Sequence, residues 1–78
     1  MITALKIVEY MDTLKNQACQ RIFENPDDAV KIKKEYIERI KSYKRGIDCH
    51  YEGTEFAKKW NKFINKSMNN CITAIEEF

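Results

Sequence analysis

Apolar residues along this chain recur in steps of three and four, not two. Ala4, Ile7, Met11, Leu14, Ala18 and Ile22 form the first series, and Leu5, Val8 and Phe23 widen it. Ala29, Ile32, Tyr36, Ile40, Tyr43 and Ile47 form the second, with Val30 and Ile37 beside them. Ala57, Trp60, Ile64, Met68, Cys71, Ile75 and Phe78 form the third. Steps of three or four gather side chains on one face of an α-helix, whereas a half-buried strand alternates every second residue. The pattern therefore predicts an all-α fold of three amphipathic helices, over about residues 3–24, 26–46 and 54–77.

The residues between these stretches carry turn chemistry. Thr3 can cap the first helix with its hydroxyl. Asn25-Pro26-Asp27-Asp28 reads as a tight break: Asn25 suits an N-cap and Pro26 suits a first helical position. Asp27 and Asp28 then face the positive end of the second helix's dipole. Within that helix, Lys34 to Glu38 and Glu35 to Arg39 have the four-residue spacing of ion pairs. Gly46, preceded by Lys44 and Arg45, predicts a stop or kink, with Ile47 folding back on the last turn. The alternative is a helix that continues through Gly46 and stops at Gly53. With a stop at Gly46, residues 48–53 are the connector, and Thr54 or Gly53 caps the third helix. Short turns join all three, so one domain spanning residues 1–78 is expected. It is either an up-down-up bundle or a long hairpin with the third helix packed across it.

Composition narrows the class. Two glycines and one proline leave too little turn chemistry for an all-β fold. An apolar content of 44% with 12% aromatics is too rich for a disordered tail. In a chain of 78 residues, the gain from burial and the cost of ordering nearly cancel, so a partner subunit would add stability. No apolar run approaches the ~18 residues that span a bilayer. Met1-Ile2-Thr3-Ala4-Leu5-Lys6 lacks the charged region and apolar block of a secretory signal. Three cysteines, Cys19, Cys49 and Cys71, cannot all pair within one chain. Reduced thiols in an intracellular compartment, the cytoplasm, are expected.

Asp48-Cys49-His50-Tyr51-Glu52 holds the single histidine beside a thiol and two carboxylates. A Cys–His nucleophile pair needs the imidazole to reach the sulfur, and sequence neighbours point in different directions. Three cysteines and one histidine match a zinc set in number, but no C-x-x-C or H-x₃-H spacing accompanies them. The reading is thus a non-enzyme without metal or cofactor.

Two surfaces remain as candidates. Lys58, Lys62 and Lys66 repeat every four residues, so their stems lie about 6 Å apart along the third helix. Asn61, Asn65, Asn69 and Asn70 lie on the same exposed side, and Lys41, Lys44 and Arg45 extend the cationic set from the second helix, in which Lys31 and Lys34 also lie. Such a ridge could follow phosphates, although the net charge is only +2. The second surface is aromatic. Phe56, Trp60 and Phe63 make an i, i+4, i+7 ridge of the kind that anchors helix-in-groove contacts. Ile64 and Phe78 join them as expected anchors, since an apolar stretch such as Ile75-Glu76-Glu77-Phe78 gains by docking. The expected function is a helical protein–protein interaction module: an adaptor, inhibitor or accessory subunit that occupies a surface on a protein partner or a second copy. The alternative is a nucleic-acid-associated accessory or regulatory protein using the lysine face.

Overall fold

The computed structural model describes residues 3–78. Ala4–Glu24 forms α1, Ala29–Tyr51 forms α2 and Glu55–Glu77 forms α3. A single 3₁₀ turn, Pro26–Asp28, joins the first two, and no strand occurs among the described residues. Each helix packs on both others. The architecture is therefore an up-down-up bundle: α1 and α3 point one way and α2 the other. The body is elongated, 44 × 20 × 17 Å.

Two of the expected caps are present. The Thr3 hydroxyl accepts from the Lys6 N–H at 3.2 Å, and the Thr54 hydroxyl accepts from the Ala57 N–H at 3.2 Å. The Asn25 break works differently from the expected N-cap. The Asn25 backbone N–H and side-chain amide both donate to the Arg21 carbonyl, at 2.9 and 3.2 Å, so this residue closes α1. Pro26 then opens the 3₁₀ turn, and α2 starts without a side-chain cap.

The expected stop or kink near Gly46 is not there. α2 runs through Gly46 to Tyr51, and the connector shrinks to residues 52–54. A mid-helix glycine costs only about 1 kcal/mol, and its surroundings outweigh that. Ile40 and Ile47 keep the buried stripe going on either side of Gly46. Lys44 and Asp48 also span it with an ion pair. The chain reverses at Gly53, whose φ of +75° lies in the left-handed region that glycine occupies without strain. The Thr54 hydroxyl and N–H both donate to the Tyr51 carbonyl there, at 2.6 and 3.0 Å.

The core is the three predicted stripes turned inward. Ile7, Met11, Ile40, Ile64 and Ile75 are its fully buried large side chains. Aromatic contacts join the helices at its edges. Tyr10 of α1 meets Tyr43 of α2 with ring centres 4.5 Å apart, and Tyr51 stacks on Phe56 across the α2–α3 turn at 4.3 Å. Arg21 of α1 lies 3.9 Å from Glu35 of α2 and 5.7 Å from the centre of the Tyr36 ring. Glu35 also makes the expected pair with Arg39, at 2.7 Å. The expected Lys34–Glu38 pair is absent, because Glu38 is taken by Arg45 at 2.9 Å. On α3, the Glu76 carbonyl accepts from the Lys33 ammonium at 2.9 Å. A cation from α2 thereby sits at the negative end of the α3 dipole.

Candidate functional site

The candidate cationic set does not come together on one surface. Lys58, Lys62 and Lys66 are exposed along α3, with Lys58 3.6 Å from Glu55. Lys62, Lys66 and Lys41 make no ion pair among the described residues. Arg45 is exposed on α2 and occupied by Glu38. Lys44 corrects the sequence reading: it is 4% exposed, and its ammonium binds Asp48 and, at 3.1 Å, the Asn61 side-chain oxygen of α3. Its aliphatic stem lies in the bundle and its charge is spent between two helices, so it is no part of a surface ridge. The period explains this, since Lys44 falls four residues after Ile40 and three before Ile47, within the buried stripe.

The aromatic set also divides. Ile64 is 2% exposed and belongs to the core, so it cannot serve as a surface anchor. Phe56 and Trp60 are half-buried and packed against that core. Phe56 helps to line a cleft of about 240 Å³ under the α2–α3 turn, together with Ile47, Asp48, Tyr51 and Asn61. Phe63 and Phe78 are exposed, and the Phe63 ring meets Trp60 with centres 5.9 Å apart.

Two further residues emerge from the structure. Leu5 and Phe23 are 63% and 77% exposed, against 45% for Phe63 and 55% for Phe78. Tyr10 and Val30 are the other large apolar side chains exposed among the described residues. Of these, Phe23 and Phe78 lie in one groove, between α1 and α3. On α1, Leu5, Glu9, Asp12, Asn16, Cys19 and Phe23 follow at steps of four and three, a single helical stripe. On α3, Lys59, Phe63, Lys66 and Asn70 follow in the same way. Two shallow depressions show the stripes meeting. Glu9 and Asp12 share one of about 290 Å³ with Ser67, Asn70 and Cys71. Asn16, Cys19 and Phe23 share one of about 470 Å³ with Phe78. The groove thus has a polar stretch along Glu9, Asp12, Ser67 and Asn70, and an aromatic pair, Phe23 and Phe78, towards the end of α1. Comparison with protein-family models, curated protein sequences and solved structures finds no match.

The signal for Leu5 and Phe23 was present in the sequence. Both sit to one side of the buried α1 stripe and make the apolar arc wider than one neighbouring helix can cover. That Phe23 comes beside Phe78 depends on the α1–α3 pairing, which the pattern does not specify.

Elsewhere the chemistry is sparse. Cys49 and His50 are exposed on the last turn of α2, and the His50 ring stands edge-on to Tyr51 at 4.7 Å. Cys19 is half-buried and Cys71 buried. Burial pushes the Cys71 thiol above its ordinary pKa; nearby Asp12 adds to the rise and Lys15 opposes it. Burial does the same to the Tyr43 phenol, with smaller contributions from Tyr10 and Tyr51. Among the described residues no three His, Cys, Asp or Glu side chains are gathered as a metal site requires. No described helix is long and apolar enough to cross a membrane.

Proposed function

We propose that this chain is a non-catalytic helical interaction module, which acts by laying the α1–α3 groove against a protein surface. One observation carries the reading: Phe23 and Phe78, both more than half exposed, share one depression of the α1–α3 groove. Exposed apolar residues scattered singly need no explanation, whereas those aligned on one face mark an interaction site. Aromatic side chains dominate the energetics of such contacts because they bury much area at a small entropic cost. The nucleic-acid alternative has less to work with. Lys44 lies inside the bundle, Arg45 is held by Glu38, and Lys58 is near Glu55.

The test is site-specific photocrosslinking in cell extract from a benzoylphenylalanine placed at position 23 or 78. The expected result is a discrete protein adduct from both positions, and its loss when Glu replaces Phe at the other one. Adducts formed equally well from an outward position such as Lys41 would overturn the reading, as would no protein adduct at all.

A further inference from the structure

We infer that the cleft under the α2–α3 turn is a binding site for a small organic ammonium ion, a primary amine carried on an aromatic or aliphatic body. The site is separate from the α1–α3 groove and does not depend on the interaction reading above. Ile47 and Ile64, 9% and 2% exposed, give the cleft an apolar floor. Tyr51 and Phe56, stacked with ring centres 4.3 Å apart, give it an aromatic wall. The charged groups on its lining are Asp48 and Glu52, both carboxylates. An apolar hollow with a few polar groups to orient the ligand is the usual form of a small-molecule site. At about 240 Å³, this one falls just below the about 300 Å³ at which drug-sized ligands begin to fit, so it suits a smaller one.

Charge decides the class of ligand. Among the described residues no lysine or arginine lines the cleft. Lys44 stands behind it, with its ammonium fixed to Asp48 and to the Asn61 oxygen, and both of those partners are on the lining. Counting Lys44 with Asp48 and Glu52 leaves one net negative charge. The buried ammonium also holds the Asp48 carboxylate in place before any ligand arrives, and it occupies only one of the two carboxylate oxygens. Glu52 is exposed and makes no ion pair among the described residues. Lys58, in the first turn of α3, is matched by Glu55 at 3.6 Å. An anionic ligand would meet Asp48 and Glu52 with no unengaged base to answer them, whereas an ammonium ion completes the set. The floor and wall then take the body of the amine out of water.

The experiment is a two-dimensional NMR titration of the purified chain with phenethylamine at neutral pH, with phenylacetate as an anionic counterpart of similar shape. Phenethylamine, which is protonated there, is expected to give saturable shifts of the Gly53 and Asn61 amide signals. Phenylacetate is expected to bind at least roughly tenfold more weakly. Glu52→Gln should weaken the amine roughly three- to fivefold. Ala57→Leu, which places extra volume in the cleft, should abolish the shifts. Should that variant lose its helical circular dichroism signal, Glu52→Gln carries the test alone, because its side chain is exposed. The inference is overturned by an absence of saturable shifts, by shifts centred elsewhere, by equal affinity for the two probes, or by unchanged binding to Glu52→Gln. A blocked lysine, Nα-acetyl-lysine methylamide, is the last probe. If it binds more tightly than phenethylamine, the cleft receives a lysine side chain of a protein partner and the small-molecule reading is overturned.

Discussion

The Lys44 ammonium of α2 donates to the side-chain oxygen of Asn61 on α3, 3.1 Å away, from a residue only 4% exposed. Asp48, half exposed one turn further along α2, supplies the opposite charge. Burying an ammonium costs several kcal/mol before its partners offset the loss, so such a group contributes little net stability compared with an apolar side chain of its shape. Lys44→Met keeps the stem's packing and frees Asp48 and Asn61 to face water. Its urea midpoint should equal or exceed that of the wild type. Lys44→Ala gives up the packing and should lose about 1–2 kcal/mol. Asp48→Ala should cost about 1–2 kcal/mol by leaving the ammonium with one neutral partner, less than in a deep interior because Asp48 is wet. If Lys44→Met were as damaging as Lys44→Ala, the charge itself would be stabilising.

The two glycines should respond with opposite signs. Gly46 lies in the interior of α2, and a Cβ added there meets nothing within 4 Å. Gly46→Ala should stabilise the fold by about 0.5–1 kcal/mol, chiefly by restricting the unfolded chain. Gly53 also has open space around it, but its φ is +75°. Gly53→Ala should therefore destabilise by about 1–2 kcal/mol. Thermal melts of the two variants decide this. A loss of stability in Gly46→Ala would mean that the helix breaks at that point in solution.

These two positions also show how much of the fold the sequence carried. The three stripes fixed helix number, inward faces and nearly all boundaries, because periodicity reports burial directly. Of the two ends open to α2, the structure has the later one, because the local stop signal, Arg45-Gly46, competes with burial of Ile47 and with the Lys44–Asp48 pair, which exist only after packing. Lys44 and Ile64 went astray for a related reason. Residue type suggests which side chains could act at a surface, but the position within the stripe decides which ones reach it. The pairing of α1 with α3, and with it the groove, is a tertiary property that no single helix encodes.

Alkaline pH should weaken the fold in two stages. The Cys71 thiol and the Tyr43 phenol both have raised pKa values in the folded chain, burial being the main cause. The neutral forms are thus favoured by folding. This stabilisation is fully present below the unfolded pKa values, about 8.5 for a thiol and about 10 for a phenol. It is lost as pH rises from each of those values through the higher folded one. Melting temperature should fall above about pH 8.5, and more steeply above about pH 10. Cys71→Ala should flatten the first decline and Tyr43→Phe the second. A pH profile unchanged by either substitution would show that other groups cause it.

Phe63 and Ile64 are neighbours in sequence with opposite duties. Ile64 is fully buried among core side chains. Ile64→Ala should cost about 2–4 kcal/mol, the usual penalty for a core truncation that leaves a cavity. In so small a chain that is a large share of the total stability, so helix signal and any association should be lost together. Phe63 is 45% exposed. Phe63→Ser should change stability by less than about 1 kcal/mol while weakening partner crosslinking. Urea denaturation read beside crosslinking separates the two duties. If Phe63→Ser unfolds the chain as Ile64→Ala does, the Phe63 ring belongs to the core. If it alters neither stability nor crosslinking, the Phe63 ring contributes nothing to binding.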